Sequence, residues 1–248
     1  MLSKHPAFRA TVHRPARRTL PEPLRKAARA PRPRAQCPPR REEDPMTTPR
    51  LVLASTSPHR RQLLGRLRVP FEAIAPEVDE TPGGDESPRD LALRLALAKA
   101  RAVAERCDGE DALVIGSDQV AELDGRPLGK PGTAGRCIEQ LLACSGRTVH
   151  FHTGLAVVAA RGGRSEALVE PFAVRFRRLD RDRVEHYVAV EAPLDAAGGF
   201  YSEGLGILLF EALEGRDPNA LVGLPLIALA ELLARFDVDL LARAQAAA

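Results

Sequence analysis

The stretch LVLASTSPHRRQLLGRL, Leu51 to Leu67, decides the fold. Its opening, LVLAS, is an unbroken apolar run ending in small hydroxyl residues, which reads as a buried strand. Ser57-Pro58 then supplies a helix N-cap and a first-turn proline. The helix that follows turns Leu63, Leu64 and Leu67 inward. A buried strand feeding a helix within a few residues is the opening half of an α/β unit. The stretch also poses a chemical question. His59, Arg60 and Arg61 crowd a helix start whose free N–H groups are already positive. Either the arginines reach solvent and neighbouring acids, or an anion is held there.

The same alternation continues along the chain. FEAIA, from Phe71, is a second strand. Ser87-Pro88, with Asp90 at the third helical position, caps a longer helix whose apolar stripe is Leu91, Leu95, Ala98 and Ala102. ALVIGSDQVAEL, from Ala112, is a strand interrupted at Gly116, and Asp124-Gly125 makes a hairpin turn after it. A helix from about Thr133 ends with Gly146 in the C′ role. Two long strands joined at RGGR follow, then a helix in DRDRVEHYVAV, a strand in GILLFEAL and one closing apolar helix in LVGLPLIALAELLARF. Helices interleaved with strands imply α/β, and the hairpins make the sheet mixed.

The totals bound what such a chain does. Its 248 residues are 44% hydrophobic and 28% charged, enough for one large domain or two lobes. No apolar run approaches the roughly 20 residues of a membrane span, so no membrane is expected. Cys37, Cys107, Cys137 and Cys144 show no metal-binding spacing, and few cysteines point to a reducing, cytoplasmic setting. The net charge of +3 hides an asymmetry: residues 1–45 hold 12 Lys and Arg against 4 Asp and Glu, and 9 of the 21 prolines. Such a segment does not bury enough to order itself. It reads as a basic extension, a targeting peptide, or sequence upstream of a true start at Met46, with the folded domain spanning 46–248. No apolar region of a secretory signal is present. The remainder carries a balance of −5, and only 4% of the chain is aromatic. Both argue against a nucleic-acid-binding protein, which stacks bases on aromatics in a basic groove.

Four further places carry candidate chemistry. Asp118 follows a buried strand after Gly-Ser, where a sheet-end carboxylate holds a metal or activates water, or is an ordinary turn residue. Glu77, Asp79 and Glu80 form a short acidic loop, either solvated or suited to Mg²⁺ or Mn²⁺. Lys130 is bracketed by Gly and Pro. Lys99 lies one residue past its helix's apolar stripe, at the rim or in solvent. Together Arg60, Lys99 and Lys130 describe an anion clamp facing acidic metal ligands, as phosphoryl transfer requires.

LASTSPHRR, EVDE, LALAKA, IGSDQV, LGKP, GGFYSEG and VGLPL, in that order, resemble the Maf family of nucleoside triphosphate pyrophosphatases. The resemblance runs from about Leu51 to about Leu240. It implies an α/β fold with an elongated mixed β-sheet flanked by helices and a cleft between two lobes. It implies metal-dependent hydrolysis of a nucleoside triphosphate to the monophosphate and pyrophosphate, with a divalent cation as cofactor. By position, Asp118 matches the proton acceptor, with Lys99 and Lys130 beside it. Ser57, Arg60 and Arg61 fall on the phosphate side, and Asp79 with Asp118 on the metal side. His59, Gln119 and Glu203 fall where the substrate is chosen. Gln119 and Glu203 resemble the branch acting on 7-methyl-GTP rather than the one acting on dTTP and UTP, and His59 departs from the larger aromatic expected there. A carboxylate suits guanine, because N1–H and the 2-amino group donate to it as a fork. The expected partner is therefore a small nucleotide. A homodimer is carried as an expectation. A regulatory role in septum formation has no sequence feature for or against it.

Overall fold

The computed structural model describes residues 48–245. The basic segment 1–45 and Met46 lie outside the described residues. Strand β1 (Arg50–Ala54), helix α1 (Pro58–Gly65), strand β2 (Phe71–Ile74), helix α2 (Pro88–Arg106) and strand β3 (Ala112–Leu123) form two successive β-α-β units. Strand β4 (Arg126–Leu128) and helix α3 (Ala134–Cys144) follow, then the long strands β5 (Thr148–Ala159) and β6 (Ser165–Phe176), helix α4 (Arg181–Glu191) and strand β7 (Phe210–Gly215). Helices α5 (Asn219–Val222), α6 (Leu226–Ala234) and α7 (Leu240–Arg243) close the chain. One seven-stranded mixed sheet results, in the order β2-β1-β3-β5-β6-β7, with β4 paired to β3. The β1 pairings are parallel and all others antiparallel. Three of its strands have 12 residues each and so run about 40 Å, which makes the sheet elongated.

Strand alternation sorts the core into layers. Leu51, Leu53, Leu113, Ile115, Leu155 and Val157 face α1 and α6. Val52, Ala54, Val114, Ala156 and Val158 face α2 on the opposite side. Farther along the first face, Ala121, Val149, Phe151, Phe172 and Val174 are covered by α3 and α4. The caps form as read: Ser57, Ser87 and Thr133 each accept a hydrogen bond from the backbone N–H three residues on. Asp124 (φ 51°) and Gly125 (φ 78°) make the left-handed turn between β3 and β4.

Four expectations are corrected. Gly116 does not interrupt β3, which is paired with β5 continuously through that position. The glycine is there because a Cβ would lie 2.2 Å from Ala96 O of α2, and at Gly154 one would lie 2.1 Å from Ala92 O. These two glycines let α2 lie directly on the sheet. The buried face of α2 is accordingly rotated from the expected stripe: Ala98 and Ala102 are half-buried, while Ala96, Lys99, Ala100 and Val103 are buried. In GILLFEAL the strand starts only at Phe210, and Leu205–Leu209 is a short 3₁₀ helix. The closing helix is broken at Gly223, whose φ of 111° suits glycine, with Pro225 beyond it, so α5 and α6 are separate.

Candidate active site

The site grows out of a gap in the sheet. On one edge of β3, β1 pairs with Ala112 to Gly116 and β4 with Ala121 to Leu123. Ser117 to Val120 lie between, at the carboxyl end of β1, where open α/β sheets place ligands. A cleft of about 890 Å³ opens there, lined among others by Ser57, His59, Arg60, Glu77, Glu80, Lys99, Asp118, Gln119, Lys130 and Glu203. Asp118 thus sits within an unbroken strand rather than at its end, opposite the terminus of β1.

Alternation along β3 divides the labour. Asp118 points to α2, where Lys99 Nζ donates to its Oδ1 at 2.6 Å. The same ammonium lies 2.6 Å from Glu80 Oε1. Lys99 is buried by the close approach at Gly116 and Gly154, and two carboxylates offset the cost of desolvating it. The hydrogen bond from Lys99 holds the Glu80 carboxyl below its ordinary range, against the opposing effect of burial.

Ser117 and Gln119 point to the opposite face and tie α5 to the sheet. The single proton of the Ser117 hydroxyl serves Gly223 O (2.8 Å) or Gly154 O (2.9 Å). Gln119 Nε2 donates to Ala220 O at 2.6 Å and Leu221 O at 3.1 Å. Carbonyls only accept, so this fixes which way the amide is turned. Thr153 Oγ1 donates to Ala220 O as well, at 2.9 Å. Gln119 therefore holds α5 in place as well as lining the cleft.

At the helix start Arg60 lines the cleft, whereas Arg61 is exposed. Arg60 Nε donates to Gly223 O at 2.8 Å, which aims the guanidinium along the cleft instead of into solvent. Burial pushes its pKa down, while attraction to Asp118 and Glu80 opposes the shift. The first turn of α1 carries no acid to quench its N–H groups. Ser57 Oγ caps that turn by accepting from Arg60 N at 3.4 Å, which leaves its own proton to donate.

Also on the cleft, His59 Nδ1 stands 3.1 Å from Glu203 Oε1. The His59 ring is stacked with that of Tyr201, centroids 5.6 Å apart and planes 28° apart. The Tyr201 hydroxyl donates to Asp195, in a short contact that holds the Asp195 carboxyl down and pushes the Tyr201 phenol up to about 12. Ser202 Oγ donates to Glu203 Oε2 at 3.1 Å.

Of the residues read from the sequence, the cleft brings together Ser57, His59, Arg60, Lys99, Asp118, Gln119, Lys130 and Glu203. Two stand apart. Arg61 is exposed and lines a separate shallow depression with Phe71, Glu72 and Ala73. The Asp79 carboxylate accepts from Thr81 N (2.9 Å) and Thr81 Oγ1 (2.6 Å), closing a local turn that lowers its pKa. Its neighbour Glu80 is the acid that turns to Lys99. Tyr201 and Asp195 went unmarked in the sequence, although GGFYSEG and its flank contain them. Among the described residues no three His, Cys, Asp or Glu side chains converge into a ready-made metal centre.

Fold and site together define a class: an open α/β protein whose cleft is built to take a polyanion beside a carboxylate. A family model described as Maf-like protein matches residues 50–236. The chain is 57% identical over 185 residues to a 7-methyl-GTP pyrophosphatase of Alkalilimnicola ehrlichii, an alignment covering 75% of this chain and 92% of that protein. The solved structure of the Ham1 protein of Staphylococcus aureus superposes with a TM-score of 0.39 at 16% identity, over 63% of this chain and 89% of that one. The chain belongs to the Maf family.

Proposed function

We propose that this protein hydrolyses 7-methyl-GTP to 7-methyl-GMP and pyrophosphate. The observation that carries the reading is one cleft lined both by Arg60, Lys99, Asp118 and Glu80 and by His59, Tyr201 and Glu203. The 57% identical relative bears the name of that activity. Water attacks the α-phosphorus, Asp118 takes its proton, and the bond from the α-phosphorus to the bridging oxygen breaks. Arg60 and Lys130 offset the charge that develops on the departing pyrophosphate. Ser57 and the first N–H groups of α1 hold the remaining phosphate oxygens.

The donor set suits a hard divalent ion such as Mg²⁺ or Mn²⁺, which uses one or two carboxylates and takes its other ligands from water and substrate phosphates. Asp118 and Glu80, with Glu77 nearby on the same cleft, are the residues that would hold it. When bound, it would supply charge neutralisation at the phosphates. Lys99 Nζ lies 2.6 Å from a carboxylate oxygen of Asp118 and of Glu80. Buried free Cys107, Cys137 and Cys144 accord with a cytoplasmic setting, where nucleotide pools are found. Among the described residues no helix is long and apolar enough to cross a membrane.

The test is a nucleotide panel read as pyrophosphate release, with 7-methyl-GTP, GTP, dTTP and UTP, before and after chelation and with Mg²⁺ or Mn²⁺ restored. Hydrolysis in H₂¹⁸O should place the label in the monophosphate. Label in pyrophosphate, or a preference for dTTP and UTP, would overturn the reading.

A further inference from the structure

We propose that Tyr201, held by Asp195, is a specificity-determining residue that offers the aromatic face on which a cationic, N7-alkylated purine is bound. This rests on the function proposed above and goes one step further, to how the positive charge on the base is recognised. A carboxylate such as Glu203 suits the guanine edge, and that edge is present in GTP as well. Something else must tell the methylated base from the unmethylated one.

The base end of the cleft supplies it. His59 alone is a small ring, and Tyr201 is stacked on it, with centroids 5.6 Å apart and planes 28° apart, so the two form one aromatic unit at the cleft. Both line the cleft, so the pair is presented to a ligand instead of being packed in the core. The phenol proton is committed to the Asp195 carboxylate, which makes the ring richer in electrons and better matched to a cation. Asp195, bonded to the Tyr201 hydroxyl, and Glu203, beside the His59 ring, bring two carboxylates to these rings. These acids lie on the same wall as the two rings, and Lys130 and His59 are the cations that act on Asp195. A neutral guanine gains the stacking but not the charge attraction.

The main chain that carries the ring is also held before any ligand arrives. Tyr201 N donates to the Tyr187 hydroxyl at 3.2 Å, reaching back to α4. Tyr201 O lies so close to Gly206 that a Cβ there would approach it to 2.3 Å. A face that need not be ordered on binding loses less entropy when it binds.

The experiment compares wild type with Y201A, Y201F and D195N, after thermal melting confirms that each is folded. Two quantities are read: the ratio of kcat/KM for 7-methyl-GTP over GTP, and the ratio of Kd for GMP over 7-methyl-GMP by calorimetry. Y201A should lower both ratios by about 3- to 30-fold, the span of a cation held on an aromatic face. Y201F keeps the ring and should recover most of the loss. D195N should shift both ratios the same way by a smaller factor. A folded Y201A with unchanged ratios, or a Y201F that fails as badly as Y201A, overturns this inference and leaves the proposed activity standing. A wild type that releases no pyrophosphate from 7-methyl-GTP overturns the activity itself, and this inference with it.

Discussion

Lys99 Nζ stands 2.6 Å from Asp118 Oδ1 and 2.6 Å from Glu80 Oε1, so one buried ammonium bridges the sheet and the acidic loop. Most residues of that loop are exposed, so side chains of α2 are what hold it. Two straps hold it to α2. Arg94 Nε and Nη2 fork onto Glu86 at 2.6 and 2.8 Å, and Arg94 Nη2 also reaches Thr81 O at 3.1 Å. Arg106 binds Ala75 O at the loop's start. Lys99 is the third attachment, and it alone lies in the cleft.

Asp118→Asn keeps the shape of the side chain and removes its ability to take a proton. Turnover should fall by at least about 100-fold, the lower end for loss of a general base. Nucleotide binding should weaken far less, because Arg60 and Lys130 are untouched and Lys99 retains Glu80. The measurement is kcat beside Kd for a non-hydrolysable triphosphate. Near-normal kcat would remove Asp118 from the chemistry.

Gly116→Ala tests whether the fit of α2 on the sheet creates the site. The new Cβ would meet Ala96 O at 2.2 Å and Ala100 N at 2.8 Å, both backbone atoms that cannot swing aside. Overpacking of this kind costs about 1–3 kcal/mol. Relief comes by lifting α2, which carries Lys99 away from Asp118. The expected outcome is a lower Tm together with a kcat loss beyond what the unfolded fraction explains. Equal stability and activity would show that α2 tolerates displacement.

This dependence also explains what was legible in the sequence. Caps and turns are local, so Ser57-Pro58, Ser87-Pro88 and Asp124-Gly125 announced themselves within a few residues. The long strands were visible from β-branched and apolar runs flanking RGGR. Gly116 was misread because a strand glycine can mark either a break or a close neighbour, and the neighbour is 20 residues away in α2. Lys99 reads as rim or solvent for the same reason: helical periodicity averages hydrophobicity, and a buried lysine does not register as part of an apolar stripe. Asp79 and Glu80 are adjacent acids, and only the turn closed by Thr81 decides which of them faces Lys99. Tyr201 became visible only when chain geometry set its ring against His59.

Glu86 gives a pH test of the loop strap. The hydrogen bonds from Arg94 pull its carboxyl down to about 2, from an ordinary value of 4.5. A carboxylate depressed by folding stabilises the native state above its unfolded pKa, and that contribution is lost as pH falls through the folded value. The wild type should therefore exceed Glu86→Gln in stability by a constant margin from pH 7 to about 5. The margin should shrink below 4.5 and close near 2. Urea unfolding of both proteins across that range is the measurement. A margin that grew on acidification would mean the strap does not set this pKa.

Glu203→Gln tests how the base is read. If Glu203 accepts from the guanine edge, the amide turns one acceptor into a donor that faces a donor. Its present neighbours permit the role. Glu203 Oε1 lies 3.1 Å from His59 Nδ1, and Oε2 accepts from Ser202. Each carboxylate oxygen still has a second lone pair to offer. A mispaired polar group costs about 1–3 kcal/mol, roughly 5- to 150-fold in kcat/KM. Lost attraction to a cationic base adds to that for 7-methyl-GTP, while the phosphate contacts of Arg60 and Lys130 are common to every substrate and cancel. The ratio of kcat/KM for 7-methyl-GTP over dTTP and UTP should therefore fall in the variant. For GTP, which shares the edge but not the charge, the fall should be smaller. Were neither ratio to move, Glu203 would leave the base pocket, and His59, with Tyr201 stacked on it, would remain to account for the choice of nucleotide.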